Sequence, residues 1–292
     1  MQNKRRFLVT SILAFLFTTG LATTQAKRCL WKVSSESGIL YLQGSVHVLK
    51  AENYPLDPAI EAAYSNSTAL ALEVDMAEML SPKTQQLIMG KAMLEQPESL
   101  KTILKPLTYK NLETACADAG MPIAAIQQFK PWFATMTLAI LKMQKSGLNP
   151  EHGVDKYFYE KAVVDQKPVI GFETVDFQIN LFDSLANMNP NDFVDRSLLD
   201  LKLMDQSIEK LLSAWQNGDI VTLDTLMSES FFDYPDLYQK FIVARNKNWS
   251  DKITELLKNE GTTMVVVGAG HFGGEQGLLK LLEKKGYKLE QQ

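Results

Sequence analysis

Close to the end of the chain, Thr263-Met264-Val265-Val266-Val267 runs straight into Gly268-Ala269-Gly270-His271-Phe272-Gly273-Gly274. An apolar, mostly β-branched run with no polar alternation has the pattern of a strand buried on both faces. The glycines that stop it allow a sharp turn and a close backbone approach, because they carry no Cβ. A helix is predicted next, over Glu275–Lys285. Strand, glycine turn and helix are the parts of an α/β sheet, in which ligands bind beyond the carboxyl ends of the strands. His271 stands at that place, so the rest of the chain must supply what it faces.

A second strand end has the same form. Leu30–Val33 and Ile39–Gly44 read as a hairpin around the polar turn 34–38, and the second strand leads into Gly44-Ser45-Val46-His47. Asp57-Pro58 then opens a helix with an acidic N-cap and proline at N1. Thr68–Asp75 is another buried strand and carries Glu73, a carboxylate that burial makes costly unless a proton, a cation or a metal accompanies it.

Between the strands the chain reads as helical: from Ser81-Pro82, over Leu107–Ala119, Phe129–Lys145 and 151–161, then Thr174–Leu185, Asn189–Asn217 and Tyr234–Glu260. One short strand, Lys167–Glu173, interrupts them, and a last strand is predicted at Tyr287–Leu289. The expected fold is α/β (α+β), with a central mixed sheet formed by the N- and C-terminal parts of the chain. A large helical insert occupies about residues 80–250, and residues 27–292 form a single domain.

Residues 1–26 stand apart. Lys4, Arg5 and Arg6 precede an apolar stretch, Phe7–Phe17, and Thr24-Gln25-Ala26 resembles a cleavage site, which is the pattern of a secretory signal peptide. Loss of those three basic residues takes the net charge from −4 to −7. An acidic, exported, periplasmic or secreted protein is expected, a poor partner for nucleic acid and with no integral membrane segment in the mature chain. Cys29 and Cys116, the only cysteines, form either one disulfide or two free thiols.

The chain has three histidines, and two of them close a Gly-x-x-His after an apolar strand. His47, His271 and Glu73 together supply two imidazoles and one carboxylate, the donor set of a catalytic metal site with an open position for water. Zinc, manganese and cobalt all suit such a set. Arg245 is a candidate for holding a carboxylate or a developing oxyanion through its planar fork. Glu173 and Asp155 are candidates for binding substrate in the same crevice. Glu73 has a second reading as half of a salt bridge with Arg245 or a lysine, and His47 or His271 has one as a metal-free general base oriented by Glu73. His152 reads as a surface residue. Gly268-x-Gly270-x-x-Gly273 matches a dinucleotide fingerprint, but too little chain follows it for a second βαβ half.

In order along the chain, Trp31-Lys32-Val33, Tyr41–His47, Glu151–Asp155 with Tyr157-Phe158, Gly171–Thr174, Arg245-Asn246 with Trp249, Val267–His271, Gly277-Leu278-Leu279 and Gly286-Tyr287 resemble the TraB/GumN family. Ser45-Val46 stand where the family often has Thr-Ile. The family is related to the Tiki proteases, described as metal-dependent peptidases with paired Gly-x-x-His motifs and a glutamate. The resemblance implies a metal-dependent hydrolase, a peptidase acting on a peptide or small-molecule substrate, with His47 and His271 in the paired motifs and Glu73 in the acidic position. The alternative of another class is a non-catalytic binding protein that takes a peptide, haem or signalling molecule in the same crevice.

Overall fold

A computed structural model describes residues 27–36 and 38–292. The signal-peptide reading of residues 1–26 therefore lies outside the described residues. Six strands form one mixed sheet: β1 (Leu30–Ser34), β2 (Ile39–Ser45), β3 (Ala69–Val74), β4 (Val169–Glu173), β5 (Thr262–Gly268) and β6 (Lys288–Gln291). Their order across the sheet is β4-β3-β5-β2-β1-β6. The chain's last parallel strand, β5, thus lies between β2 and β3, and both ends of the sequence meet in one sheet as the sequence implies.

β2, β5, β3 and β4 run parallel, whereas β1 is antiparallel to both of its neighbours. The central strands are buried on both faces, as their apolar runs require: Met264, Val265, Val266 and Val267 are fully enclosed, as are Leu70, Ala71 and Leu72. Helices Pro58–Ser65, Val154–Val164, Ala244–Leu256 and Leu278–Lys284 add Tyr64, Phe158, Trp249 and Leu282 to that core. Asp57 caps the first of them, its carboxylate accepting from the Ala59 N–H at 2.8 Å.

A second hydrophobic cluster lies wholly within the helical region, built from Leu100, Leu112, Cys116, Ile126, Leu138, Val194 and Leu198. Cys29 belongs to the sheet core and Cys116 to this second core, so both thiols are free and buried. No helix among the described residues is long and apolar enough to cross a membrane.

Two local features depart from the expected elements. Helix Ile220–Ser230, capped by Asp219, occupies a stretch to which the sequence reading assigns nothing. Its β-branched start, Ile220-Val221-Thr222, hides the helical pattern, and the cap supplies the signal. The helix expected over Tyr234–Glu260 runs from Pro235 to Leu256 with one wider turn at Gln239–Val243, of the π type. Such turns re-aim the residues that follow them, and Arg245 follows this one.

Candidate functional site

Parallel pairing brings four strand ends to one edge of the sheet. Ser45 pairs with Gly268 and Val74 with Glu173 in register, so the turns after β2 and β5 leave the sheet side by side. Each of these four strands delivers one group: His47 beyond β2, Glu73 on β3, Glu173 on β4 and His271 beyond β5. Gly268 sits in their midst. A Cβ at that position would lie 3.2 Å from Glu73 Oε1, 3.5 Å from His271 Cδ2 and 4.0 Å from His47 Nε2. The glycine therefore keeps open the space that the three side chains share.

His271 is buried, and its tautomer follows from its neighbours. The Asn246 amide donates to the backbone carbonyls of His271 and Gln276, at 3.2 and 2.8 Å, which turns its oxygen toward the imidazole. That oxygen lies 2.6 Å from His271 Nδ1, so Nδ1 carries the proton and Nε2 presents a lone pair. Nε2 faces Arg245 Nη1 at 3.2 Å. Burial pushes the His271 pKa down to about 3, so the ring stays neutral. Trp249 packs against the same ring with centroids 4.5 Å apart.

His47 is the opposite case. Its side chain is 64% exposed at the mouth of the crevice, and Nδ1 lies 3.0 Å from Asp155 Oδ1. Asp155 raises its pKa to about 9. At neutral pH the ring therefore holds both protons: Nδ1–H donates to Asp155, and Nε2–H is left without an acceptor among the described residues and becomes a lone-pair donor only on losing its proton. Both histidines are thus held at Nδ1, by Asp155 and by Asn246, and Glu73 orients neither of them.

Glu73 and Glu173 clamp Arg245. Nε donates to Glu173 Oε1 at 2.8 Å, and Nη2 donates to Glu173 Oε2 at 2.9 Å and to Glu73 Oε2 at 2.6 Å. Nη1 donates to the Phe241 carbonyl at 3.2 Å and faces His271. All five guanidinium N–H groups are therefore spent inside the protein. Gln178 reaches both carboxylates, Glu73 at 3.3 Å and Glu173 at 3.0 Å, and the Gly268 N–H donates to Glu73 Oε1 at 2.8 Å. Burial raises the Glu73 pKa, but Arg245, the two histidines and the Gly268 N–H outweigh it and hold the group at about 2. The salt-bridge reading of Glu73 is thus present within the site itself.

Of the candidate residues, Glu73, Glu173, Arg245 and His271 lie in one hydrogen-bonded network, and His47 with Asp155 forms a separate pair beside it. Asp155 touches His47, and Glu173 touches Arg245 and Gln178. His152 stands apart, its carbonyl accepting from the Tyr54 hydroxyl at 2.9 Å. Two members escaped attention as site residues. Asn246 adjoins Arg245 and precedes Trp249 by three, a spacing that marks one helix face; nothing local distinguishes Gln178.

The donor chemistry suits a divalent cation: two imidazoles with Nδ1 anchored and Nε2 turned inward, beside a carboxylate, follow the usual outer-shell pattern of metal-binding histidines. Among the described residues, however, no group of three His, Cys, Asp or Glu stands close enough together to hold one. Arg245 explains this spacing, because its guanidinium takes Glu73 Oε2 and the lone pair of His271 Nε2.

A sheet whose parallel ends gather two Gly-x-x-His turns, a buried carboxylate and an arginine defines a class of proteins rather than one chain. The sequence model of the TraB/PrgY/gumN family matches residues 29–291, and the chain belongs to that family. It is similar to an uncharacterized protein, YbaP, of Escherichia coli strain K12, with 27% identity over 247 residues, 83% of this chain and 87% of the relative. It is also similar to an uncharacterized protein of Treponema pallidum strain Nichols, with 20% identity over 277 residues, 89% of this chain and 81% of the relative. No solved structure matches the chain.

Proposed function

We propose that the protein is an exported hydrolase, a peptidase, acting in the crevice at the ends of β2, β3, β4 and β5. The observation that carries this reading is the pair of imidazoles fixed at Nδ1 on either side of Gly268, one exposed and one buried. His47, at the mouth, is the group a substrate meets first. Asp155 keeps its Nε2 directed inward and stabilises the ring when it holds a proton, as a general acid–base catalyst requires. His271, kept neutral, adds a lone pair at the rear. Arg245 acts here as a positioning residue: it fixes Glu73, Glu173 and His271 relative to one another and stabilises an oxyanion only by releasing one of its present partners.

A divalent ion of zinc, manganese or cobalt is part of the proposal: His47, Glu73 and His271 would hold it once Arg245 gives up Glu73 Oε2 and His271 Nε2. When bound, it would polarise the scissile carbonyl and acidify a water molecule. A metal-free reading is favoured by one observation, the engagement of Glu73 and His271 with Arg245; His47 with Asp155 then carries the proton transfers alone. Export rests on residues 1–26, and a peptide substrate rests on the resemblance to the Tiki proteases.

Elemental analysis of the mature protein, beside His47→Ala and His271→Ala, tests the proposal together with digestion of unfolded casein. Near-stoichiometric metal in the wild type, lost in both folded variants along with cleavage, is the expected result. Cleavage that persists after exhaustive chelation selects the metal-free reading. No cleavage by the wild type, with or without added zinc, manganese or cobalt, refutes the hydrolase.

A further inference from the structure

Three of the helices at the crevice repeat one pattern. Gln178, which touches Glu73 and Glu173, is followed one turn later on the same face by Phe182. Arg245 is preceded one turn earlier by Phe241, whose carbonyl it bonds. Met227 packs on the Gly-Ala-Gly-His turn, its Sδ 2.6 Å from where a Cβ on Gly270 would sit, and is followed one turn later by Phe231. The three phenylalanines meet. Phe182 and Phe241 have ring centroids 5.6 Å apart in an edge-to-face arrangement, and Phe231 and Phe241 are 6.4 Å apart. Trp132 and Tyr238 flank them, at 6.3 Å from Phe182 and 5.8 Å from Phe231.

These rings belong to neither of the two hydrophobic cores. Phe182 is 40% exposed, and Phe231 and Phe241 are half-buried. A contiguous, partly open aromatic surface is costly in water, and surfaces of this kind mark binding sites. The helices that carry these rings also place Gln178 and Arg245 against Glu73 and Glu173 and Met227 against the Gly270 turn, so the aromatic surface borders the crevice and one occupant can reach both. We infer that Phe182, Phe231 and Phe241 form a subsite for a large apolar or aromatic side chain of a peptide, beside the groups of His47, Glu73 and His271. That the bound peptide is a substrate rests on the hydrolase reading; the choice of side chain rests on the aromatic surface alone.

Two measurements keep those apart. Saturation-transfer NMR on the mature protein compares N-acetyl-phenylalanine amide with N-acetyl-alanine amide. The phenylalanine probe is expected to bind about tenfold more tightly, since even single methylene differences reach that ratio in apolar pockets. The preference is expected to disappear in Phe182→Ala/Phe241→Ala. Phe182→Leu/Phe241→Leu, which keeps an apolar filling, serves if the alanine variant fails to fold by circular dichroism, and it is expected to weaken the preference while retaining part of it. Casein digestion, mapped by mass spectrometry, then gives the residues flanking each cut. Cuts beside Phe, Tyr, Leu or Met, with KM raised more than kcat is lowered in the variants, support the subsite. Probe preference without cleavage keeps the subsite and sinks the hydrolase. Equal binding of the two probes, a preference unchanged in the variants, or cleavage indifferent to neighbouring side chains overturns the inference.

Discussion

Replacing Arg245 with methionine tests whether the arginine is the brace that its five bonds imply. The substitution keeps an unbranched apolar stem against Trp249, over whose ring the guanidinium lies at 4.5 Å, and removes only the charge and its donors. Two carboxylates then remain without a partner cation, Glu73 with a side chain 14% exposed and Glu173 with one 5% exposed. Removing one partner of a buried ion pair costs about 3–5 kcal/mol, because the charge left behind is uncompensated. Holding Glu73 at about 2 instead of the ordinary 4.5 corresponds to about 3 kcal/mol at 1.36 kcal/mol per decade; this is the net of burial and all its partners, among which Arg245 is the largest favourable one.

Urea unfolding at pH 7, followed by circular dichroism, should therefore show Arg245→Met less stable by about 3–5 kcal/mol. The matching fall in Tm is roughly 10 °C for a chain of this size. The pH dependence carries a sign of its own. A carboxyl whose folded pKa lies below its unfolded value stabilises the protein above the unfolded value and loses that contribution as pH falls toward the folded one. Wild-type stability should thus decline from about pH 4.5 toward 2 through Glu73, and the methionine variant should show a weaker slope, since Arg245 is the largest of the groups that hold this carboxyl low. In a Glu73→Gln/Glu173→Gln background the same arginine substitution should cost at least about 2 kcal/mol less, since no charge is stranded. A loss below about 1 kcal/mol, or an equal loss in the neutral background, would refute the clamp.

The glycines at the two turns should behave differently from each other. Gly44→Ala drives a methyl to 2.3 Å from Cys29 Sγ and 3.0 Å from Ala269 Cβ, so a loss of about 1–3 kcal/mol is expected, partly recovered in Gly44→Ala/Cys29→Ala by thermal melting. Gly268→Ala fits its backbone, with φ −50° and ψ 130°, and should cost less than about 1 kcal/mol while displacing whatever binds between Glu73 and the two histidines; isothermal titration with zinc checks the second part. Burial pushes both the Cys29 and the Cys116 thiols upward, the latter to about 11. Neither should react with a thiol reagent at pH 8 until the protein is unfolded, and reduction should leave the intact mass unchanged.

The frame of the molecule was readable because period and punctuation agree in it. Apolar runs ending in glycine gave β2 and β5, the Asp57-Pro58 cap gave its helix, and three of the four parallel strands were visible as runs without polar alternation. Glu173 closes the fourth, which is short and sits at the sheet edge. What escaped is the part that depends on neighbours distant in sequence. Gln178 lies on a helix whose local pattern says only which face is apolar, and its two carboxylate partners come from strands about a hundred residues before it and immediately before it. The partner of each histidine was also beyond reach. Asp155 is 108 residues from His47, and nothing in either segment says that Asp155 rather than Glu73 holds the ring. The second core in the helical region could be expected from the apolar content of Phe129–Lys145, but not its separation from the sheet core, which is a matter of how helices pair.

Arg245 also decides how any functional experiment at this site must be read. A residue that spends every donor on two carboxylates, a carbonyl and an imidazole holds three other site residues in register. Its loss would therefore abolish an activity whether or not it ever touches a substrate. His47 is free of that ambiguity. It is exposed, its polar partner among the described residues is Asp155, and it belongs to neither hydrophobic core. Truncation at His47 should cost about 1 kcal/mol or less, the worth of an exposed ion pair, while removing the nitrogen that faces the crevice. A His47→Ala protein that melts with the wild type and has lost metal or cleavage assigns the chemistry to the crevice; the same loss in an Arg245 variant assigns only the scaffold.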